Sequence, residues 1–212
     1  YESLPKTLNI GIKNSPNEIE VRYYQRKSAW IIISQRNEQL KQEGIESLNT
    51  LSNLLFSHNE DNNPLWLWHY YNIKANLEEW NKNLEEGIEN YKKCLSIPTL
   101  GAFEYGATFV NMAITYRCKY IEQEIKKVAT INKSIKLGRL GLLLKQSVGE
   151  KDEMPVVLHN LALNILYKIS NTLIDVSLCN EVLDLTQEAL EILEKTKSIK
   201  RLGMVLIENF ID

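Results

Sequence analysis

The chain is short of the residues that interrupt helices. Only 9 of its 212 residues are glycine and 5 are proline, and Pro16, Pro64, Pro98 and Pro155 stand where apolar patterns break. Glycine and proline are the main punctuation of turns, so their scarcity excludes a sandwich or barrel of many short strands. Cysteine is scarcer still. Cys94, Cys118 and Cys179 are odd in number and widely spaced, which excludes a disulfide framework and fits small buried side chains in a reducing, cytoplasmic compartment. Long apolar runs are missing. The longest, "AWIII" at 29 to 33, falls far below the roughly 20 residues of a membrane span. Excess charge is missing too: the net charge is −2 and the pI about 6.0, which argues against a globally basic nucleic-acid binder.

The chemistry-bearing motifs are likewise absent. There is no G-x-x-x-x-G-K-[ST] phosphate loop, no H-E-x-x-H, no C-x-x-C and no G-x-S-x-G. His58, His69 and His159 lack the i, i+3 or i+4 spacing of helical metal ligands. "GRLGLLL" at 138 to 144 has two glycines but no preceding strand to make it a nucleotide-binding turn. The expectation is a protein that is not an enzyme and holds no cofactor and no metal. No signal peptide is visible, and the first residue is Tyr1. The sequence is therefore expected to be a piece of a longer protein.

What is present is helical. Hydrophobic residues make up 44% and charged residues 25%, enough apolar matter for a core in a soluble chain. Residues 1–17 read as an irregular lead-in. Helical spacing then runs over 18–36, 39–57, from Pro64 through the aromatic-rich "LWLWHYYNIKANLEEW", 84–97, 101–118, 120–146, from Pro155, from an Asn180 cap and through a last "IKRLGMVLIENF". That makes about nine helices and no strand. Asn63 before Pro64 is a fitting N-cap and first helical residue. Leu84, Ile88, Tyr91 and Leu95 recur at helical spacing and share one face. Gly138 and Gly141 are weak points for a helix. Of the aromatics Trp66, Trp68, His69, Tyr70, Tyr71 and Trp80, adjacent members cannot share a face, so at least one set belongs to the core.

Words recur along the chain. "EGIE" occurs around Gly44 and again around Gly87. "FVNMAITY" (109–116) matches "LHNLALNI" (158–165), and "GIENYKKCLSI" (87–97) matches "VLDLTQEALEI" (182–192). Small residues stand at Gly87, Cys94, Ala113, Ala162 and Ala189, and large ones at Tyr91, Tyr116 and Ile165. Small residues let helix axes approach while large ones fill the groove beside them. This pattern resembles the tetratricopeptide repeat family over most of residues 64–212. The resemblance implies an all-α fold of antiparallel helix pairs stacked as a right-handed superhelix, one domain over 18–212. The spacing is wider than the usual 34 residues: Asn111 and Asn160 lie 49 apart, and the "EGIE" words 43 apart. Other helix-pair stacks and an irregular bundle share these features.

In such a stack the first helices line a concave groove. The resemblance then places Asn111 and Asn160 there, with Val110, Ile114, Val156, His159 and Leu163 beside them. Apolar walls with amide anchors suit a peptide or protein ligand. A second feature is charge: eight basic residues meet two acidic ones between 117 and 145. Lys126, Lys127, Lys133 and Lys136 are the candidate patch, with Lys126, Lys133 and Lys136 expected near one face. A solvated face, an acidic partner, a second copy of the chain and nucleic acid all fit it, in that order. The reading is a protein- or peptide-binding module with no membrane partner, the sensor or scaffold part of a larger regulatory protein. A nucleic-acid-associated helical domain is the alternative, and a compact bundle with a buried active site the third reading.

Overall fold

A computed structural model describes residues 16–56, 63–173 and 175–196. The described residues are helical, with eight α-helices and no strand among them. The expected last helix, "IKRLGMVLIENF", lies outside the described residues, as do His58 and most of the lead-in. The chain divides between Asn62 and Asn63 into two compact units.

The first unit holds one helix pair, α1 (Pro16–Ala29) and α2 (Lys41–Phe56). The expected single helix over 18–36 changes geometry partway: Trp30–Gln35 form a π-helical turn that buries Ile31 and Ile32. Arg36 closes it in the left-handed region, at φ 44°. A short 3₁₀ turn, Glu38–Leu40, leads into α2, with the Asn37 carboxamide accepting from the Gln39 N–H at 2.8 Å. The widened π turn is where α2 comes closest. A Cβ on Gly44 would sit 2.7 Å from the Ile31 side chain.

The second unit holds α3 (Pro64–Trp80), α4 (Leu84–Ser96), α5 (Ala102–Glu122), α6 (Val128–Ser147), α7 (Met154–Ile169) and α8 (Val176–Thr196). Asn63 caps α3 through its side chain, which accepts from the Leu65 N–H at 2.9 Å. α4 buries Leu84, Ile88 and Tyr91 and half-buries Leu95, and it ends before Pro98. Consecutive helices pack in pairs, α3 on α4, α5 on α6 and α7 on α8, and α4 and α6 also pack on the helix that follows. The repeated words fall on equivalent members of these pairs. The Asn-containing words lie on the first helices α5 and α7, and the others on the second helices α4 and α8. Both "EGIE" glycines occupy a second helix where it crosses the first, Gly87 with its missing Cβ 3.3 Å from the Ala75 carbonyl oxygen.

Three expectations are corrected. The break placed near residue 119 comes later: α5 continues to Glu122 because Tyr116 and Tyr120 carry its buried face onward. Asp175, not Asn180, caps α8, accepting from the Ser177 N–H at 2.9 Å. Gly138 and Gly141 are not weak points of α6 but its closest contacts. A Cβ on Gly141 would lie 3.0 Å from both the Gly106 carbonyl oxygen and the Val110 nitrogen, and one on Gly138 would lie 3.1 Å from Leu161. α5 and α6 therefore touch backbone to backbone.

Two apolar clusters fill the second unit. One gathers Ala75, Ile88, Tyr91, Met112, Ala113, Tyr116 and Leu137 between the first two pairs. The other joins Tyr120, Ile131, Leu158, Leu161, Ile165, Leu185 and Ala189 between the last two. Cys94 is fully buried, and burial pushes its thiol up to about 12, which keeps it protonated and inert. Lys145, 1% exposed, reaches Glu153 at 2.6 Å and lies over the Phe103 ring.

Two outcomes test this packing. Gly141→Ala gains about 1 kcal/mol of helix propensity, yet it forces α5 away from α6 and is expected to lose about 1–3 kcal/mol net in urea unfolding. Unchanged stability would refute the close approach. In the α6–α7 loop, Glu150 accepts from the Glu153 N–H at 3.1 Å and the Asp152 N–H at 2.8 Å. These bonds, with the Lys145 charge, hold its carboxyl below the usual range. A depressed folded value means stabilisation that is complete above the unfolded value of about 4.3 and is lost as pH falls through the folded value. Glu150→Gln is expected to flatten that loss, read by amide exchange in residues 150–155 between neutral and acid pH.

Candidate functional site

Three first helices, α3, α5 and α7, pack side by side. They are joined by polar side chains rather than by the apolar clusters. Between α3 and α5, the Trp68 indole N–H donates to Thr108 Oγ1 at 2.8 Å, Asn111 Nδ2 donates to Asn72 Oδ1 at 3.0 Å, and Thr115 Oγ1 donates to Glu79 Oε2 at 3.4 Å. Residue numbers rise together on both sides of this ladder, so the two helices run parallel, and α4 brings the chain back between them. Between α5 and α7 one side chain does the joining. Arg117 Nη1 donates to Asn164 Oδ1 at 2.9 Å and to the Asn160 carbonyl at 3.2 Å, while Nη2 donates to Asn160 Oδ1 at 3.1 Å.

Beside this seam run two half-buried stripes. On α5 it is Ala107, Asn111, Ile114 and Cys118; on α7 it is Val156, Asn160, Leu163 and Tyr167. The intervals are four, three and four residues in both, so each stripe shares one helix face. The α5 stripe lies between the side that bonds α3, through Thr108, Asn111 and Thr115, and the side that bonds α7, through Arg117. The expected residues Asn111, Ile114, Val156, Asn160 and Leu163 all fall on these stripes.

Val110 and His159 do not, and this corrects their expected place in a groove. Val110 is buried against Gly141 of α6, because the missing Cβ there leaves room for its methyls. His159 is 5% exposed and belongs to the interior of its helix pair. Both amide anchors are engaged within the fold. Asn111 bonds Asn72, and Asn160 accepts from Arg117 while donating to the Val156 carbonyl at 2.9 Å. The residues that sequence alone passed over are Asn72, Asn164 and Arg117. Arg117 was counted only as one charge of a basic stretch. Trp68 and Tyr70 are the buried members of the aromatic group; Trp66, His69, Tyr71 and Trp80 are half-buried. Burial lowers the His69 pKa, with the Glu104 charge opposing, so its imidazole is neutral at pH 7.

The basic stretch is largely spent internally. Arg117 holds α7, Lys119 pairs with Glu85, Arg139 makes a two-pronged contact with Glu181, and Lys145 pairs with Glu153. The four predicted patch lysines do not share a helix face. Lys126 lies in the loop between α5 and α6, where its ammonium donates to the Tyr120 and Ile121 carbonyls and so caps the end of α5. Lys127 precedes α6. Lys133 and Lys136 are exposed on α6, with the Lys133 ammonium 4.6 Å from the Tyr116 ring centroid. Among the described residues no group of His, Cys, Asp and Glu could hold a metal ion, and no helix is long and apolar enough to cross a membrane.

No family model, no curated protein and no solved structure matches the chain.

The Arg117 bridge gives a direct test. Asn164 is 1% exposed, so Arg117→Met strands its buried carbonyl. The expected cost is about 2–3 kcal/mol in urea unfolding, within the range for losing charged hydrogen bonds and stranding a buried acceptor. A cycle with Asn164→Leu should return a coupling energy above about 0.5 kcal/mol. Additive losses would show that the bridge carries no energy.

Proposed function

We propose that the second unit is a tetratricopeptide-like stack of helix pairs that binds a peptide or a peptide-like segment of a protein along α3, α5 and α7. The observation that carries this reading is the pair of matched half-buried stripes, each alternating aliphatic side chains with an asparagine. Ile114, Val156 and Leu163 supply apolar surface that a ligand would cover, and area removed from water is the main source of affinity. Asn111 and Asn160 are held in fixed rotamers by Asn72 and Arg117. Pre-set amides lose little entropy on gripping a peptide backbone. The parallel first helices and the equivalent placement of the repeated words support the superhelical arrangement. A sensor or scaffold role in a larger regulatory protein follows from the same reading.

Selection from a random-peptide display library against the chain supplies the ligand for the test. A selected peptide is expected to lose about tenfold or more in affinity, near 1.4 kcal/mol, on Leu163→Glu or Ile114→Glu, with helix content unchanged by circular dichroism. Glu188→Lys on α8 serves as the control and should leave affinity unchanged. A library that yields no peptide sensitive to the stripes refutes the reading. Labelled single- and double-stranded oligonucleotides are titrated in parallel. Binding that weakens steeply with salt and depends on Lys133 and Lys136 would transfer the function to the nucleic-acid alternative.

A further inference from the structure

The second helices carry an unusual distribution of charge on their outward sides. α6 and α8 are neighbours of the same direction. α7 runs antiparallel to α6, since Lys145 meets Glu153 and Gly138 meets Leu161, and the short turn after α7 reverses the chain again. The two-pronged Arg139–Glu181 contact joins them. On α6 the exposed lysines Lys136 and Lys133 precede Arg139 by three and six residues. On α8 the exposed carboxylates Asp184 and Glu188 follow Glu181 by three and seven. None of these four side chains has an ion-pair partner among the described residues. At about 1.5 Å of rise per residue, Lys136 lies about 4.5 Å to one side of the Arg139–Glu181 level and Asp184 about 4.5 Å to the other. Lys133 and Glu188 lie about 9 and 10.5 Å out.

We infer that the outward face of α6 and α8 binds a second copy of this chain about a two-fold axis through the Arg139–Glu181 pair. Such an axis exchanges α6 of one protomer with α8 of the other and reverses their direction. Lys136 then meets Asp184 of the partner, and Lys133 meets Glu188, twice over. A two-fold contact requires a self-complementary patch, and equal offsets of opposite charge about a central pair supply it. The same operation sets Leu143, 61% exposed and four residues after Arg139, at the level of Ser177 and the 70% exposed Val176. Exposed aliphatic surface is thereby covered on both sides. The Lys133 ammonium must leave the Tyr116 ring to reach Glu188, a rotamer change open to an exposed lysine.

The charges also define the test, in which the full chain is examined by sedimentation equilibrium. A dimer is expected whose dissociation constant rises about tenfold or more between about 50 mM and about 500 mM salt, as screening shortens the reach of its ion pairs. Lys133→Glu with Lys136→Glu makes the face wholly acidic, and Asp184→Lys with Glu188→Lys makes it wholly basic. Each variant alone should be monomeric with unchanged circular dichroism, and an equimolar mixture should form a heterodimer. A monomeric parent chain at low salt, a dimer indifferent to either reversal, or a mixture that stays monomeric would each overturn the inference. The outcome is separate from peptide binding, which uses α3, α5 and α7.

Discussion

Much of the second unit depends on the contact of two backbones at Gly106 and Gly141. A side chain at either position would separate α5 from α6. The close approach lets Val110 reach into α6 and sets Gly138 against Leu161 of α7. It also places Lys145 under Phe103 and within reach of Glu153. The pair α5–α6 thus acts as the reference against which α3–α4 and α7–α8 are positioned. Tight packing at glycine costs helix propensity at two places, and the dispersion contacts it brings outweigh that cost.

Polarity is distributed with equal economy. Pairs of helices are held within by apolar clusters, while the first helices of adjacent pairs are laced together by amides, a hydroxyl ladder and one guanidinium. Hydrogen bonds are directional, so this seam fixes rotation and register where an oily contact would tolerate sliding. The same side chains, being only half-buried, form the floor of the candidate ligand surface. Structure and recognition are therefore not separable at Asn111 and Asn160. A substitution there perturbs both, which is why the aliphatic members of the stripes are the cleaner probes.

How much of this could be read from the letters depends on the residue. Asn63 with Pro64, and the Leu84–Ile88–Tyr91–Leu95 face, were legible because capping and the helical period are local rules. The pairing of equivalent helices was legible because small residues at helix crossings repeat. The orientation of Val110 and His159 was not, since α5 and α7 are covered on most sides and a nearly all-apolar helix leaves no polar face to orient it. Lys126 was misplaced because lysine fits a helix surface and a helix-capping loop equally well. Arg117 hid among surface charges; its role follows from Asn160 and Asn164, which lie more than forty residues away and one helix pair on.

Lys145 shows what this arrangement means for the reactivity of the folded chain. Its ammonium is enclosed by Phe103 and Glu153, while Lys127 and Lys136 stand in open water. An amine-acylating reagent reaches the exposed lysines by diffusion alone, but it can reach Lys145 only when α5, α6 and the start of α7 come apart. The rate at which that one amine is modified is therefore an internal clock for the opening of the junction, set by the free energy of local separation rather than by the chemistry of the reagent.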